Sequence, residues 1–295
     1  MAAIAGRLYA VNTTSAKVCV SVLANTTITA TISGGSAAVA ALSQRIASPY
    51  LGTAVVTFTG LTAWTDYTYT ITQGGNSISG TFKTLPDNQT TDYSFFVTSC
   101  DTPRNRGAPT AFKYMRAITE AANPPVLFRM HPDDISYNDT HIVDDSAHSG
   151  LQATGAPNTT GVAADYAMTW ASEVGLLDSV GGRQDPDRLW INKNIGHSMT
   201  PGDHGTEGNH CRGEEGSSGY HGCDRTVNGL EEVAMAEFDA FIGDAQHAPL
   251  SAGLMYYAFE CGPCRFAMMD MTKTADPVSA GLANVNDAKE THPCY

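Results

Sequence analysis

The sequence predicts a β-sandwich followed by an α/β domain, and three observations lead to that prediction. From Arg7 to Thr84, apolar and polar residues alternate with a period of two, which is typical of half-buried strands. A short stretch rich in Pro and Asn then ends this pattern. Beyond it, a strand, an amphipathic helix and a second buried strand follow one another in βαβ order. The predicted parts are a sandwich at 1–85, a linker at 86–91 and an α/β domain at 92–295.

The first part contains the alternation, the turn and the corner expected of a sandwich. Val18, Val20 and Val22 alternate with polar neighbours, and a Gly-Gly pair after the strand that contains Tyr67 predicts a hairpin. Leu61 precedes this tyrosine as it enters a late strand, which is typical of the tyrosine corner of immunoglobulin or fibronectin type III sandwiches. Such modules serve in ligand binding, in spacing other domains or in assembly far more often than in catalysis.

The second part begins with a nearly continuous apolar strand at Tyr93–Thr98. Phe112, Met115 and Ile118 mark one face of the following helix, and Val126–Met130 forms the next buried strand. In α/β layers, functional residues lie in the loops beyond the carboxyl ends of the strands. We therefore expect function after Thr98 and after Met130. Further elements are predicted as helices at 162–177 and 230–242 and as paired strands at 254–259 and 265–271.

Composition limits the classes of partner. The chain has 17 Lys and Arg against 30 Asp and Glu, a net charge of −13, which argues against nucleic acid. It contains no apolar run long enough for a membrane span, and Met1–Gly6 lacks the pattern of a signal peptide. Only 16% of residues are charged, so hydration by glycans is expected at Asn-x-Ser/Thr sequons. These sequons, typical of a secreted, extracellular protein, are Asn12, Asn25, Asn88, Asn138 and Asn158.

Seven cysteines leave at least one thiol without a disulfide partner in the chain, and Cys100 is the candidate. The disulfide candidates are Cys211, Cys223, Cys261 and Cys264. A zinc site is the alternative, because several histidines lie near Cys211 and Cys223, although no Cys-x-x-Cys pair recurs at zinc-ribbon spacing. Disulfides are favoured, and they indicate an oxidising compartment. Cys19, on the polar side of its alternating segment, is a candidate for an intermolecular link, and a buried position or a partner within the chain is equally allowed.

Oxygen, imidazole and thiolate groups follow the predicted strands. Asp133-Asp134 with Tyr137, then Asp203-His204, supply hard donors, and Cys100 adds a soft donor suited to iron. Hydrolases hold two cations about 3.5–4 Å apart with such groups and so clamp the attacking and leaving oxygens. This pattern predicts a phosphoester hydrolase.

These blocks resemble the PhoD-type alkaline phosphatases, secreted metallophosphoesterases built from a β-sandwich and an α/β phosphatase domain. The resemblance covers about residues 50–277. It rests on five segments of this sequence: Gly80–Thr84, Ser99-Cys100-Asp101, His131–Tyr137, Gly202-Asp203-His204 with Asn209, and Phe266–Asp270 with Ala275-Asp276-Pro277.

The resemblance implies roles for the matched residues. Cys100, Asp134 and Tyr137 would hold iron, and Asp203 would be a ligand of a second ion. His204, near the phosphate, and Asn209 are the catalytic candidates. Iron, calcium or both are the expected cofactors if the family's site is retained, and none otherwise.

The sequence also departs from this family. Asp133 stands where the family has Gly, and Gly205 stands where it has Glu. The family's chain continues past the strand ending at Asp270 with further Asp and His ligands, whereas His292 is the only histidine that follows here, so the phosphatase domain is expected to lack its C-terminal half. The prediction from these departures is a structural subunit that assembles head to tail with its own copies into a fibril or surface array. The alternative is a metal-dependent phosphatase or phosphodiesterase.

Overall fold

A computed structural model of the chain describes residues 4–22, 27–44, 52–88, 91–99, 111–132, 174–176, 185–200, 247 and 257–268. The architecture of these residues is mostly β. The strands are β1 (Ile4–Tyr9), β2 (Ser15–Val22), β3 (Ile28–Ile32), β4 (Ser36–Val39), β5 (Ser43–Gln44), β6 (Gly52–Thr59), β7 (Asp66–Gln73), β8 (Asn76–Lys83), β9 (Ser94–Val97), β10 (Val126–His131), β11 (Gly196–Met199), β12 (Tyr257–Cys261) and β13 (Cys264–Met268). The helices are α1 (Ala111–Ala121) and α2 (Pro186–Asn194).

The strands form one large mixed sheet and two smaller antiparallel sheets. The large sheet has the order β4-β6-β2-β1-β11-β10-β9, with β5 also paired to β6. Its β1, β11, β10 and β9 strands are parallel to one another, whereas β2, β4 and β5 join through antiparallel pairs. The second sheet has the order β3-β7-β8, and β12 pairs with β13 as a hairpin.

The packing between the large and the three-stranded sheet buries the apolar residues of the predicted alternation. Val18, Val20 and Val22 are all fully buried, and the rings of Phe58 and Tyr69 from the two sheets lie 5.4 Å apart. The Tyr67 hydroxyl accepts a hydrogen bond of 2.7 Å from the backbone N–H of Thr62, which is the contact expected of a tyrosine corner.

The turn between β7 and β8 is also confirmed. Its central residues, Gly74 and Gly75, have φ angles of +53° and +87°, the combination that a two-residue type I′ hairpin requires. Side chains on L residues disfavour two successive positive φ angles, so the Gly-Gly pair fixes both the position of this turn and the register of the hairpin.

The large sheet includes strands from both sides of the predicted linker. β1 lies beside β11, with Tyr9 opposite His197, so the N-terminal strands continue directly into the parallel strands. Leu85, at the start of the linker segment, is buried and donates its N–H to the carbonyl of Asn12. The division into two domains with a linker stays a prediction.

The predicted βαβ unit is present as β9, α1 and β10, with two corrections. Phe95 and Val97 in β9 are 40% and 63% exposed, because β9 is the last strand of the sheet within the described residues. Phe112 and Met115 are buried on α1 as expected, but Ile118 is 53% exposed. The predicted strands near the C-terminus appear as β12 and β13, while the helix predicted at 230–242 and nearly all of that at 162–177 lie outside the described residues.

Two elements were not predicted. Helix α2 begins after Asp185, whose side chain accepts hydrogen bonds from the N–H groups of Asp187 and Arg188, with Pro186 in the first turn. An Asp followed by Pro is a sequence signal for a helix start and could have located α2. β11 has the sequence Gly-His-Ser-Met, which lacks any β-branched residue. Only its position between other strands makes it a strand.

Of the two placements that the sequence allows for Cys19, the structure has the buried one. This residue is 5% exposed, because both alternating sets of side chains are buried in the second half of β2. Among the described residues, no helix combines the length and the apolar character needed to cross a membrane.

Candidate functional site

Three adjacent parallel strands end together at one edge of the large sheet. β10 lies between β9 and β11, and its residue His131 is opposite Met199. The N–H of Thr98 donates to the carbonyl of Met130 at 2.9 Å, and the N–H of Thr200 donates to the carbonyl of His131 at 3.1 Å. The Thr200 hydroxyl also donates to the carbonyl of Pro132 at 2.6 Å. These bonds extend the sheet beyond the formal strand ends and hold the C-terminal ends of the three strands side by side. We call this edge of the sheet, at Thr98, Pro132 and Thr200, the strand-end edge.

The residues predicted to bind metal or phosphate follow this edge in sequence but lie outside the described residues. Cys100 follows Thr98 by two positions, Asp134 follows Pro132 by two, and Asp203 follows Thr200 by three. Tyr137, His204 and Asn209 also lie outside. Within the described parts of the chain, no group of three His, Cys, Asp or Glu side chains could hold a metal ion.

A buried network of polar side chains lies behind the strand-end edge. Arg129 in β10 is 1% exposed, and its Nε donates to the Thr98 hydroxyl at 2.7 Å. A terminal nitrogen of the same guanidinium lies 2.8 Å from Nδ1 of His131. Because a guanidinium cannot accept, Nδ1 of His131 is the acceptor, and the neutral ring carries its proton on Nε2. The Thr98 hydroxyl, 2.9 Å from the same Nδ1, can donate to it and so links β9 to β10.

A second buried arginine joins this network to the helices. Arg7 in β1 donates from Nε to the side-chain oxygen of Asn192 in α2 at 3.0 Å and from a terminal nitrogen to the sulfur of Met199 at 3.7 Å. The ring of Phe112 in α1 lies 5.0 Å from the guanidinium carbon of Arg129 and 4.5 Å from that of Arg188. Cation–π contacts of this kind stabilise buried guanidinium groups. Both helices therefore cover a cationic face of the sheet.

His197 is a fully buried neutral imidazole within this cationic face. Among the residues that the structure describes, neither of its ring nitrogens has a hydrogen-bond partner, and its ring centre lies 6.0 Å from that of Tyr9. Burial, and then the positive charges of Arg7 and Arg129, lower the pKa of His197 well below its usual value. The backbone of Ile191 opposes this shift without completing a hydrogen bond. His197 therefore cannot act as a proton donor near neutral pH.

The opposite face of the same strands is aromatic. Phe128 in β10 stacks with Phe95 at 5.2 Å and meets Phe259 and Phe266 of the β12–β13 hairpin edge to face at 5.2 and 5.1 Å. His247 stacks on Phe259 at 4.6 Å, nearly parallel to its ring. Burial first, and the charge of Lys17 second, lower the pKa of His247 to about 4. This face is part of the hydrophobic core.

Two of the predicted sequons lie within the described residues. The side-chain nitrogen of Asn12, which would carry a glycan, donates to the carbonyl of Ala10 and to the hydroxyl of Ser15, both at 3.3 Å. Asn88 is exposed, and its side-chain oxygen accepts from the Thr91 hydroxyl at 2.7 Å. Of the two, Asn88 has the better geometry for modification. Asn25, Asn138 and Asn158 lie outside the described residues.

The described cysteines are thiols. Cys261 and Cys264 lie opposite each other at the end of the β12–β13 hairpin, and no disulfide joins them in this structure. Cys211 and Cys223 lie outside the described residues.

Solved structures with a similar fold are phosphatases. The structure of purple acid phosphatase PPD1 isolated from yellow lupin (Lupinus luteus) seeds superimposes with a TM-score of 0.55 and 11% identity, over 99% of this chain and 49% of that one. The structure of PhoD superimposes with a TM-score of 0.53 and 15% identity, over 93% of this chain and 52% of that one. This chain therefore spans about half the length of either structure.

Comparison at the sequence level does not assign the chain to a family. No known family description matches the chain, and no curated protein matches it. At 11% and 15% identity, the two structural similarities establish the fold and leave residue roles open.

Sequence analysis missed the cationic face behind the strand-end edge. Arg7 and Arg129 are charged residues inside otherwise apolar strands, Ile-Ala-Gly-Arg-Leu-Tyr and Val-Leu-Phe-Arg-Met-His. A charge inside a buried strand is unusual enough to mark a polar network, and this was the available signal.

Proposed function

We propose that this protein is a metal-dependent phosphoester hydrolase whose reaction takes place at the strand-end edge. The observation that supports this most directly is the alignment of the exits of β9, β10 and β11 by three backbone and side-chain hydrogen bonds. The metallophosphoesterase-like fold supports the same class of chemistry. The finer assignment, a PhoD-like phosphatase with an N-terminal β-sandwich, is part of the same proposal.

The reach of the chain allows the proposed ligands to meet. Adjacent strands in a sheet are about 4.8 Å apart, and consecutive Cα atoms are about 3.8 Å apart. Cys100, Asp134 and Asp203 each follow the aligned edge by two or three residues. Segments this short limit the distance of the three residues from the edge, and in this proposal their side chains would contribute to one cation-binding centre.

The donor set fits hard and borderline cations. Cys100, Asp134 and Tyr137 would hold iron, and Asp203 would bind a second ion, iron or calcium. Bound cations would supply positive charge to the phosphoryl oxygens and a nucleophile derived from water. His204 and Asn209 would orient the phosphate.

The described network has a positioning role in this proposal. Arg129 ties Thr98 and His131 together, so the exits that lead to Cys100 and Asp134 are held by one guanidinium. Residues around a metal centre that fix its ligands typically change affinity or activity by about 10- to 100-fold when they are removed.

Hydrolysis of chromogenic phosphate esters tests the proposal. The full chain, loaded with iron and calcium, should hydrolyse p-nitrophenyl phosphate or its bis-ester, and Asp134→Asn and Asp203→Asn should each reduce the rate at least about 10- to 100-fold. Asp87→Asn, which changes an exposed carboxylate, is the matched control and should leave the rate unchanged. A loaded protein with no activity, or with activity insensitive to both ligand substitutions, would contradict the proposal.

Self-assembly, glycans and an extracellular location stay predictions from the sequence. Exposed Phe95 and Val97 on the last described strand of the sheet are compatible with pairing between copies. The fold similarity favours the hydrolase over the structural subunit.

A further inference from the structure

The turn of the β12–β13 hairpin brings two cysteines together away from the strand-end edge. Cys261 and Cys264 are the last register pair of the hairpin, with only Gly262 and Pro263 between them. Gly262 has φ +55° at the first central position, as in the tight II′ type of turn. Residues directly opposite in an antiparallel pair have Cα atoms about 4.5–5.5 Å apart, which lies within the range that a disulfide spans.

The surroundings hold this turn in place. The hydroxyl of Tyr93 donates to the carbonyl of Cys261 at 3.0 Å. The N–H of Gly262 donates to the carbonyl of Pro86 at 3.0 Å. A Cβ atom at Gly262 would approach the carbonyl oxygen of Asn88 to 2.9 Å, so only glycine fits. These contacts therefore fix the backbone of the turn that carries the two cysteines.

The two thiols differ in accessibility. Cys261 is fully buried, whereas Cys264 is exposed and lines an open groove of about 860 Å³ together with Thr91, Asp92 and Arg265. A reagent in solvent can reach only the sulfur of Cys264, and Cys261 is placed to react second. This is the arrangement of an attacking and a resolving thiol.

We propose that Cys261 and Cys264 form a thiol–disulfide exchange site that reacts with low-molecular-weight disulfides such as oxidised glutathione. The Cys264 thiolate attacks one sulfur of the reagent, forms a mixed disulfide and releases one thiolate. Cys261, as thiolate, then attacks Sγ of Cys264, forms the intramolecular disulfide and releases the second thiolate. The two protein thiols lose two electrons and two protons, and the reagent is reduced to two thiols.

The same geometry makes the disulfide slow to reduce. A reducing thiolate can reach only Cys264, so Cys261 must be the leaving group. Burial raises the pKa of Cys261 to about 12, although the hydrogen bond from Tyr93 opposes this shift. A thiol with a raised pKa is a poor leaving group, so we expect reduction to be at least about tenfold slower than in the unfolded chain.

Peptide mapping tests the site directly, because cleavage after Arg225 and Arg265 gives one peptide that contains these two cysteines and no other. After exposure of the native full chain to oxidised glutathione, this peptide should resist alkylation at both positions. In Cys261→Ser, the mixed disulfide should accumulate on Cys264. In Cys264→Ser, Cys261 should remain a reduced thiol, so the peptide should still be alkylated at this position after the chain is denatured for mapping.

Two outcomes would overturn the proposal. One is full alkylation of both cysteines in the native chain under conditions that oxidise a short peptide of the same sequence. The other is a disulfide between either residue and a different cysteine. Because Cys264 is exposed, Cys264→Ser should fold, and circular dichroism checks this for both variants. Phosphatase activity is not needed as a readout, so the outcome is independent of the proposed hydrolase function.

Discussion

The two faces of strand β10 are built from alternate residues of one short segment, yet they differ completely in chemistry. On one face Phe128 packs among aromatic rings at 5.1–5.2 Å. On the other face Arg129 and His131 are equally buried but belong to a polar network that reaches Thr98. Both faces exclude water, and only the second leads to the strand-end edge.

The difference shows how burial serves two purposes in this sheet. The aromatic face contributes non-directional stabilisation, since the hydrophobic effect scales with the apolar area removed from water. The cationic face carries the desolvation cost of guanidinium groups, which hydrogen bonds and cation–π contacts offset. The hydrogen bonds of the cationic face fix the relative positions of the ends of β9 and β10. Three experiments separate these roles.

The largest loss of stability is expected on the aromatic face. Phe128→Ala should lower the free energy of unfolding by about 3–5 kcal/mol, because it leaves a cavity where four aromatic rings meet. Urea denaturation measures this loss. Phe95→Ala is the matched control on the same face, and since Phe95 is 40% exposed, its loss should be clearly smaller. Equal losses would show that the aromatic face is not the core that its packing indicates.

A smaller loss is expected where the cationic network holds two strands. Thr98→Val keeps the side-chain shape but removes the acceptor for Nε of Arg129, so it should cost about 1–3 kcal/mol in urea denaturation. Thr70→Val, which removes an exposed hydroxyl bonded to Ser79, is the control and should cost less than about 0.5 kcal/mol. If the two variants lose the same stability, the network does not hold the strands.

The smallest effect at neutral pH concerns the two buried histidines, and it grows on acidification. The folded-state pKa values of His197 and His247 lie below the usual value of 6.5, so the unfolded chain binds their protons first. Their contribution to stability is complete above about pH 6.5 and is lost as the pH falls, for His247 down to about pH 4. Each single substitution to Leu should change stability by less than about 1.5 kcal/mol at pH 7.5.

Unfolding curves between pH 7.5 and 4 measure this acid dependence. Each Leu variant should lose less stability on acidification than the parent chain, and the double variant should lose least. If the parent and the double variant have the same pH dependence, carboxylate titration alone accounts for it, and the two imidazoles are not held neutral by the fold.

Prediction from the sequence worked best where one local rule acts alone. The alternation around Val18, the Gly74-Gly75 turn and the helix through Phe112 depend on neighbours in the sequence, and each is present. It failed for β11, whose Gly-His-Ser-Met sequence has no strand signal, because parallel pairing to β10 is a contact between segments far apart in the chain.

For the candidate site, sequence reasoning named the residues after the strands but missed those beneath them. Cys100, Asp134 and Asp203 were selected as donors that follow strands, and the aligned exits are consistent with that choice. No feature of the neighbouring sequence shows that Arg129 donates hydrogen bonds to both Thr98 and His131. The register between the two strands that carry these residues is set by the whole sheet.

The sequence by itself determined the elements, their turns and the donor residues that follow them, because propensity, alternation and glycine conformation act within a few residues. Only the tertiary structure decided that β1 joins β11, that one sheet runs across the predicted domain boundary, and that the faces of β10 are aromatic and cationic. Those choices depend on which distant segments share a sheet, and pairing between strands is selected by packing summed over the whole core.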